Sequence, residues 1–151
     1  MLSVFVNDQE LVTILCTPEK LNCLVVGYLR SEGFIISLDE ISMMRVCLEE
    51  SLADVRLTHQ IDATPTMRIL TSGCGGGVSF DCGIDVEPLT SQWSISPNRI
   101  LSSLVLIQND PNNQTNNGSR RRGVHVSALS DGEELIARSE DIGRHNTLAK
   151  I

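Results

Sequence analysis

The chain has 151 residues, which suits a single domain, since one domain uses about 100–200 residues. Hydrophobic residues make up 41% but aromatic ones only 3%, so its core must be aliphatic, and 21% charged residues argue against a largely disordered chain. The net charge of −7 argues against a general nucleic-acid binder.

The charge is uneven. Residues 1–95 carry 5 bases and 13 acids, a balance of −8, whereas residues 96–151 carry 7 bases and 6 acids, a balance of +1. An anionic ligand would favour the second part. No run of about 18 apolar residues is present, so no membrane span is expected. The start, Met1-Leu2-Ser3-Val4-Phe5, lacks the basic region and apolar stretch of a signal peptide. A cytoplasmic protein is expected. The five cysteines, at 16, 23, 47, 74 and 82, are odd in number and show no Cys-x-x-Cys spacing. They do not read as a disulfide framework.

In chain order, residues 4–16 predict a β-hairpin around an Asn7-Asp8 turn signal. Thr17 is a good N-cap, Pro18 suits the first helical position and Glu19 favours the positive end of the helix. Leu21, Leu24, Val25, Tyr28 and Leu29 then form one apolar stripe, and Gly33 is a C-terminal cap. Strands are expected at Met43–Leu48 and Val55–Ile61, around an acidic turn at Glu49–Asp54, and again at Thr66–Leu70. Ser96-Pro97 predicts a second helix with Ile100, Leu101, Leu104 and Val105 on one face. Asn109–Ser119 is a polar loop rich in Asn and Gln. Gly123–Leu129 and Leu135–Ser139 predict two strands about an Asp131-Gly132 turn, and a last helix begins after Asp141. There are no internal repeats. The mixture of strands and helices places the chain in the α/β class.

The segment Thr71-Ser72-Gly73-Cys74-Gly75-Gly76-Gly77 sets one thiol among four glycines. Glycine permits positive φ and close approach of another molecule to the backbone. Successive exposed N–H groups can form an anion-binding concavity, which would lower a thiol's pKa and favour the reactive thiolate. A tight turn holding an inert cysteine fits the same spacing. The segment lacks the Lys-Ser/Thr of a phosphate loop and the spacing of a dinucleotide turn. Cys16, Cys23, Cys47 and Cys82 read as small buried hydrophobes, with Cys82 a minor candidate for a second thiol.

Glu140-Asp141-Ile142-Gly143-Arg144-His145-Asn146 concentrates polar chemistry near the last helix. Carboxylates are favoured at a helix start. Arg144 can hold a phosphate with two parallel hydrogen bonds, and His145 can carry a proton near neutral pH. Asn146 offers a donor and an acceptor. A capped helix start with a solvated face fits the run as well. His125 on its strand reads as a structural residue, and Arg120-Arg121-Arg122 as a solvated patch that could guide an anion inward.

Four stretches in order resemble the formate dehydrogenase accessory sulfurtransferase family, FdhD. Cys16-Thr17-Pro18 leading into Leu24–Ile35, with its Ser31-Glu32-Gly33, is similar to the family's Thr-Pro helix and Ser-Glu-Gly motif. Thr71–Gly77 resembles its cysteine loop, Gly123-Val124-His125 its Gly-Gly-x-His strand, and Glu140–Asn146 its Glu-Asp-Val/Ile-Gly-Arg-His-Asn signature. The resemblance runs from about residue 4 to the end. It implies a layered α/β sheet with flanking helices, related to cytidine deaminases, with an N-terminal region at 1–70 and the start of a deaminase-like region at 71–151. It implies persulfide transfer from a cysteine desulfurase to the molybdenum (or tungsten) bis-pyranopterin guanine dinucleotide cofactor of formate dehydrogenase. Cys74 would be the catalytic thiol. Gly75, Gly76, Gly77, Asp141, Arg144, His145 and Asn146 would bind the cofactor. A homodimer is implied, and no bound metal.

The chain departs from the family pattern in places. Gly77 replaces the second cysteine of the loop, Arg122 a usual glycine and Ala149 a usual aspartate. Persulfide carriage on Cys74 survives the first change, whereas a disulfide within the loop does not. Family members continue past the position of Ile151, so a partial chain, incomplete at the C-terminus, is expected. Two other readings stand beside sulfur transfer. One is a non-catalytic module, or inactive fragment, that binds cofactor or partner. The other is a zinc deaminase, which needs His-x-Glu and Pro-Cys-x-x-Cys. Ser127 stands where that glutamate would be, and no Cys-x-x-Cys is present.

Overall fold

The computed structural model describes residues 1–61, 90–110 and 123–151, together with the backbone of residues 69 and 70. Strands β1 (Leu2–Val6) and β2 (Gln9–Ile14) form an antiparallel hairpin. Asn7 and Asp8 turn it with φ of 49° and 70°, the paired left-handed geometry that matches strand twist. The Asn7 side chain also fastens the hairpin to a more distant stretch of backbone. Its Oδ1 accepts from Leu57 N and its Nδ2 donates to the His59 carbonyl, at 2.9 and 2.8 Å.

Strand β3 (Ile41–Cys47) pairs antiparallel with β4 (Leu52–Leu57), and β4 pairs parallel with β1. Strand β5 (Ile69–Leu70) adds parallel to β2, giving the order β3-β4-β1-β2-β5. Strand β4 starts earlier than the sequence predicts. The turn before it closes at Ser51, whose φ is 54°. Ala53, Val55 and Leu57 then alternate inward, and this period-two pattern extends through the acidic stretch because Asp54 faces away from the core.

Helix α1 (Leu21–Ser31) covers this sheet with Leu24, Val25, Tyr28 and Leu29. Its start differs from expectation. Lys20, in a left-handed conformation, precedes the first turn, and Thr17-Pro18 lie outside the helix. The hydroxyl and carbonyl with which Thr17 would cap α1 accept bonds from residues 125 and 133 positions away. The other end is as predicted. Gly33 takes φ of 79°, and Phe34 N donates to the Leu29 carbonyl at 2.8 Å, a left-handed helix stop. The core is almost wholly aliphatic, built from Val4, Val6, Val12, Ile14, Leu24, Val25, Leu29, Ile35 and Val55. This agrees with the low aromatic content.

Helix α2 (Pro97–Asn109) starts at Ser96, whose hydroxyl accepts from Arg99 N, as predicted. Its apolar stripe of Ile100, Leu101, Leu104 and Val105 is exposed. Strands β6 (His125–Ser130) and β7 (Leu135–Asp141) form a separate antiparallel pair, with β7 running two residues past its expected end. Helix α3 (Arg144–Ala149) comes next and packs on α1. The approach is backbone to backbone: a Cβ placed on Gly27 would lie 2.0 Å from the Ala149 carbonyl oxygen. Only glycine lets the two helices come this close.

Candidate functional site

Asp141 closes β7 and is fully shielded from solvent. A buried carboxylate is stable only when its oxygens are satisfied. Here Oδ1 accepts from Gly143 N and Asn146 Nδ2, both at 2.7 Å. Oδ2 accepts from Thr17 N at 2.9 Å and from Lys150 Nζ at 2.5 Å. Lys150, itself only 2% exposed, also donates to the Thr17 carbonyl at 2.9 Å. The Thr17 hydroxyl in turn accepts from Ile142 N at 3.1 Å. Asn146 adds a bond to the Leu15 carbonyl at 3.0 Å. The bonds made by Leu15 and Thr17 thus join the end of β2 to the β7–α3 turn.

The turn itself needs Gly143. A Cβ there would stand 2.8 Å from Asn146 Nδ2 and 3.4 Å from Asp141 Oδ1. With this space open, the chain reverses and Arg144 and His145 emerge on the solvent side. Arg144 Nε donates to His145 Nε2 at 3.3 Å. In this bond the imidazole accepts at Nε2, so a guanidinium and a neutral imidazole stand together above a hydrogen-bonded base. The inward face of α3 is held as well: Thr147 Oγ1 donates to the Arg144 carbonyl at 2.6 Å and contacts Ser127 Oγ, and Ser139 Oγ donates to the Thr147 carbonyl.

Neighbouring charge is mostly paired. Arg138 bridges Asp110 at 3.1 Å and Glu140, and Lys20 Nζ donates to the Arg138 carbonyl. His125 is exposed on β6, in register with Asp141.

The signature Glu140–Asn146 therefore divides in two: Glu140, Asp141 and Asn146 are engaged within the protein, whereas Arg144 and His145 face out. Cys74, Gly75, Gly76 and Gly77 lie outside the described residues, as do Cys82 and Arg120–Arg122. Among the described cysteines, Cys23 is exposed and Cys16 half-buried. Burial pushes the Cys16 thiol's pKa up, and the Asp141 carboxylate adds to this against the opposing pull of Lys150. Its thiolate is thereby disfavoured. Among the described residues no group of three or more His, Cys, Asp or Glu is placed to hold a metal, and no helix is long and apolar enough to cross a membrane.

Thr17 and Lys150 are parts of this site that sequence reasoning missed. Thr17-Pro18 carries a strong local cap signal that hides its distant partner. Lys150 stands one helical turn after Asn146, a spacing that places both on one face of α3.

The FdhD/NarQ family model matches residues 1–151. The chain belongs to this family. It is 39% identical to the sulfur carrier protein FdhD of Bacillus subtilis (strain 168), over 99% of this chain and 58% of that protein. It is 32% identical to the protein of the same name from Staphylococcus haemolyticus (strain JCSC1435), with the same two coverages. The chain thus spans somewhat more than half the length of these FdhD relatives. A crystal structure from Desulfotalea psychrophila, described as a formate dehydrogenase accessory protein, superposes with a TM-score of 0.64 at 19% identity. It covers 99% of this chain and 55% of the other, and it establishes a shared α/β fold.

Proposed function

We propose that this chain carries sulfur for the maturation of formate dehydrogenase. Cys74 takes sulfane sulfur from a cysteine desulfurase and passes it to the molybdenum (or tungsten) bis-pyranopterin guanine dinucleotide cofactor, which is the substrate here. The observation that carries this reading is the family match along the whole chain, which includes the glycine-flanked Cys74. A cytoplasmic setting accords with it, because free thiols persist in reducing compartments.

The first step is a thiol exchange. The Cys74 thiolate attacks the outer sulfur of the desulfurase persulfide. A new sulfur–sulfur bond forms as the old one breaks, and the desulfurase cysteine leaves as a thiolate. No electrons are gained or lost overall. In the second step the sulfur–sulfur bond of the Cys74 persulfide breaks, and Cys74 keeps the bonding pair and leaves as a thiolate that takes a proton from water. The neutral outer sulfur passes to the substrate, where the two electrons that make it sulfide come from the reduced metal of that substrate or from an external thiol reductant.

Arg144 and His145 are proposed to meet the cofactor's phosphates. Both are exposed and side by side, and a guanidinium suits phosphate oxygens. Gly75, Gly76 and Gly77 are proposed to offer backbone N–H groups to the same substrate. Asp141 and Asn146 belong to the site as the base on which Arg144 and His145 stand.

Incubation with a desulfurase and free cysteine, then peptide-resolved mass spectrometry, tests the reading. One added sulfur on the Cys74 peptide, absent in Cys74→Ser, is expected. No sulfur on Cys74, under conditions that load an FdhD relative, overturns it.

A further inference from the structure

The cluster beneath Arg144 and His145 has more bonds than a helix start requires. A short helix can begin on a single cap. Here three separate groups of Thr17 reach the end of β7 and the residues flanking α3: its N–H to Asp141, its hydroxyl to Ile142 N, and its carbonyl to Lys150. Asp141 in turn holds Gly143 N and Asn146. The path from Thr17 to Arg144 therefore runs through Asp141, Ile142 and Gly143 without a gap.

We infer that Thr17 is a positioning residue for the anion-binding pair Arg144–His145. It acts through Asp141 and the Ile142-Gly143 turn and touches no ligand itself. The assignment of the pair rests on the reading proposed above; the restraint on the turn does not. The Ile142 N–H bond to the Thr17 hydroxyl is the sensitive link. Thr17→Val keeps the branched shape but leaves the Ile142 N–H without its acceptor. Thr17→Ser keeps the acceptor.

The test compares these two variants and Arg144→Ala with the parent 151-residue chain. Amide exchange at Ile142, Gly143 and Arg144 reads the restraint without a ligand. Titration with guanosine diphosphate, monitored through the His145 ring signals, reads presentation of the pair. Thr17→Val is expected to speed exchange in the turn and to weaken binding about fivefold to tenfold, the size of one lost hydrogen bond. Exchange in β1 and β4 should be unchanged. Thr17→Ser should restore both measurements. Unchanged turn exchange in Thr17→Val overturns the inference, and so does nucleotide binding equal to the parent while Arg144→Ala weakens it. Equal loss across the turn and the β1–β4 sheet, with no rescue by serine, also overturns it, since the role is then general stability. If the parent fails to bind the nucleotide, the phosphate role of Arg144 and His145 falls, and the exchange data alone decide on Thr17.

Discussion

The Lys150 ammonium lies 2.5 Å from the Asp141 carboxylate, with both side chains shut off from water. Each charge is tolerable there only because the other is present. Removing one partner of a buried pair costs about 3–5 kcal/mol, because the remaining charge is stranded. Asp141 keeps three N–H donors when Lys150 is lost, which places the expected cost near the lower end. Lys150→Met should therefore lower unfolding stability by about 3 kcal/mol in urea. A loss below about 1 kcal/mol, the range of a surface ion pair, would refute this account.

Gly27 predicts a backbone effect of similar size. In Gly27→Ala the new methyl meets the Ala149 carbonyl, which is backbone and cannot rotate away. The helices must separate, and overpacking of this kind costs about 1–3 kcal/mol. Thermal unfolding should show the loss, and amide exchange should speed up in α3 before it does so in the sheet. A variant as stable as the parent would mean that α1 and α3 do not touch at this point.

Three carboxylates should titrate below the ordinary range. The Arg56 guanidinium hydrogen-bonds to Asp8 and lowers its pKa. The backbone N–H groups of Ile36 and Ser37 lower that of Glu40, and those of Glu134 and Glu133 lower that of Asp131. A depressed folded-state pKa favours the native protein above the unfolded-state value, about 3.9 for Asp and 4.3 for Glu. That contribution is lost as pH falls through the folded-state value. Side-chain carboxyl signals tracked by NMR from neutral pH into acid should give all three midpoints below these references. A midpoint at or above its reference removes that residue from the account.

Cysteine labelling should separate Cys16 from Cys23. Burial and the Asp141 carboxylate hold the Cys16 thiol above its ordinary pKa, so less thiolate is present at mildly alkaline pH. Cys23 is exposed on α1. With iodoacetamide, the Cys23 peptide should be modified before the Cys16 peptide. The raised folded-state pKa also means that the contribution of Cys16 to stability is fully present below the unfolded-state thiol value and fades as pH rises through the folded one. Faster labelling at Cys16 than at Cys23 would contradict the structure.

Much of the fold is legible in the sequence because its signals are local. Asn7-Asp8 between two apolar runs, Ser96 before Pro97, and Gly33 after the stripe of α1 each determine a turn or an end from neighbouring residues. The start of α1 is not legible. Thr17-Pro18-Glu19 satisfies every local rule for a helix start, yet Thr17 is engaged by Asp141 and Lys150. Tertiary bonds override propensity there. The candidate site shows the same limit: the residue types of Arg144 and His145 mark outward-facing groups on the last helix, but no spacing rule reveals that Asp141 is buried beneath them. The apolar stripe of α2 is plain as a pattern, while its exposure in the structure depends on what packs nearby.

The span of sequence between Thr17 and Asp141 has a consequence for assembly. Strands β1 to β4 and helix α1 lie within the first 57 residues, so this layer can form from nearby contacts. Joining two points 124 residues apart closes a long loop, at an entropic cost that grows with the logarithm of length and reaches about 4 kcal/mol here. Such long-range contacts slow folding. The expected order of events is that the sheet forms early and the Arg144–His145 turn becomes ordered only after Lys150 has docked. During synthesis, the surface that carries Arg144 and His145 is therefore expected to be among the last described parts of this chain to take shape.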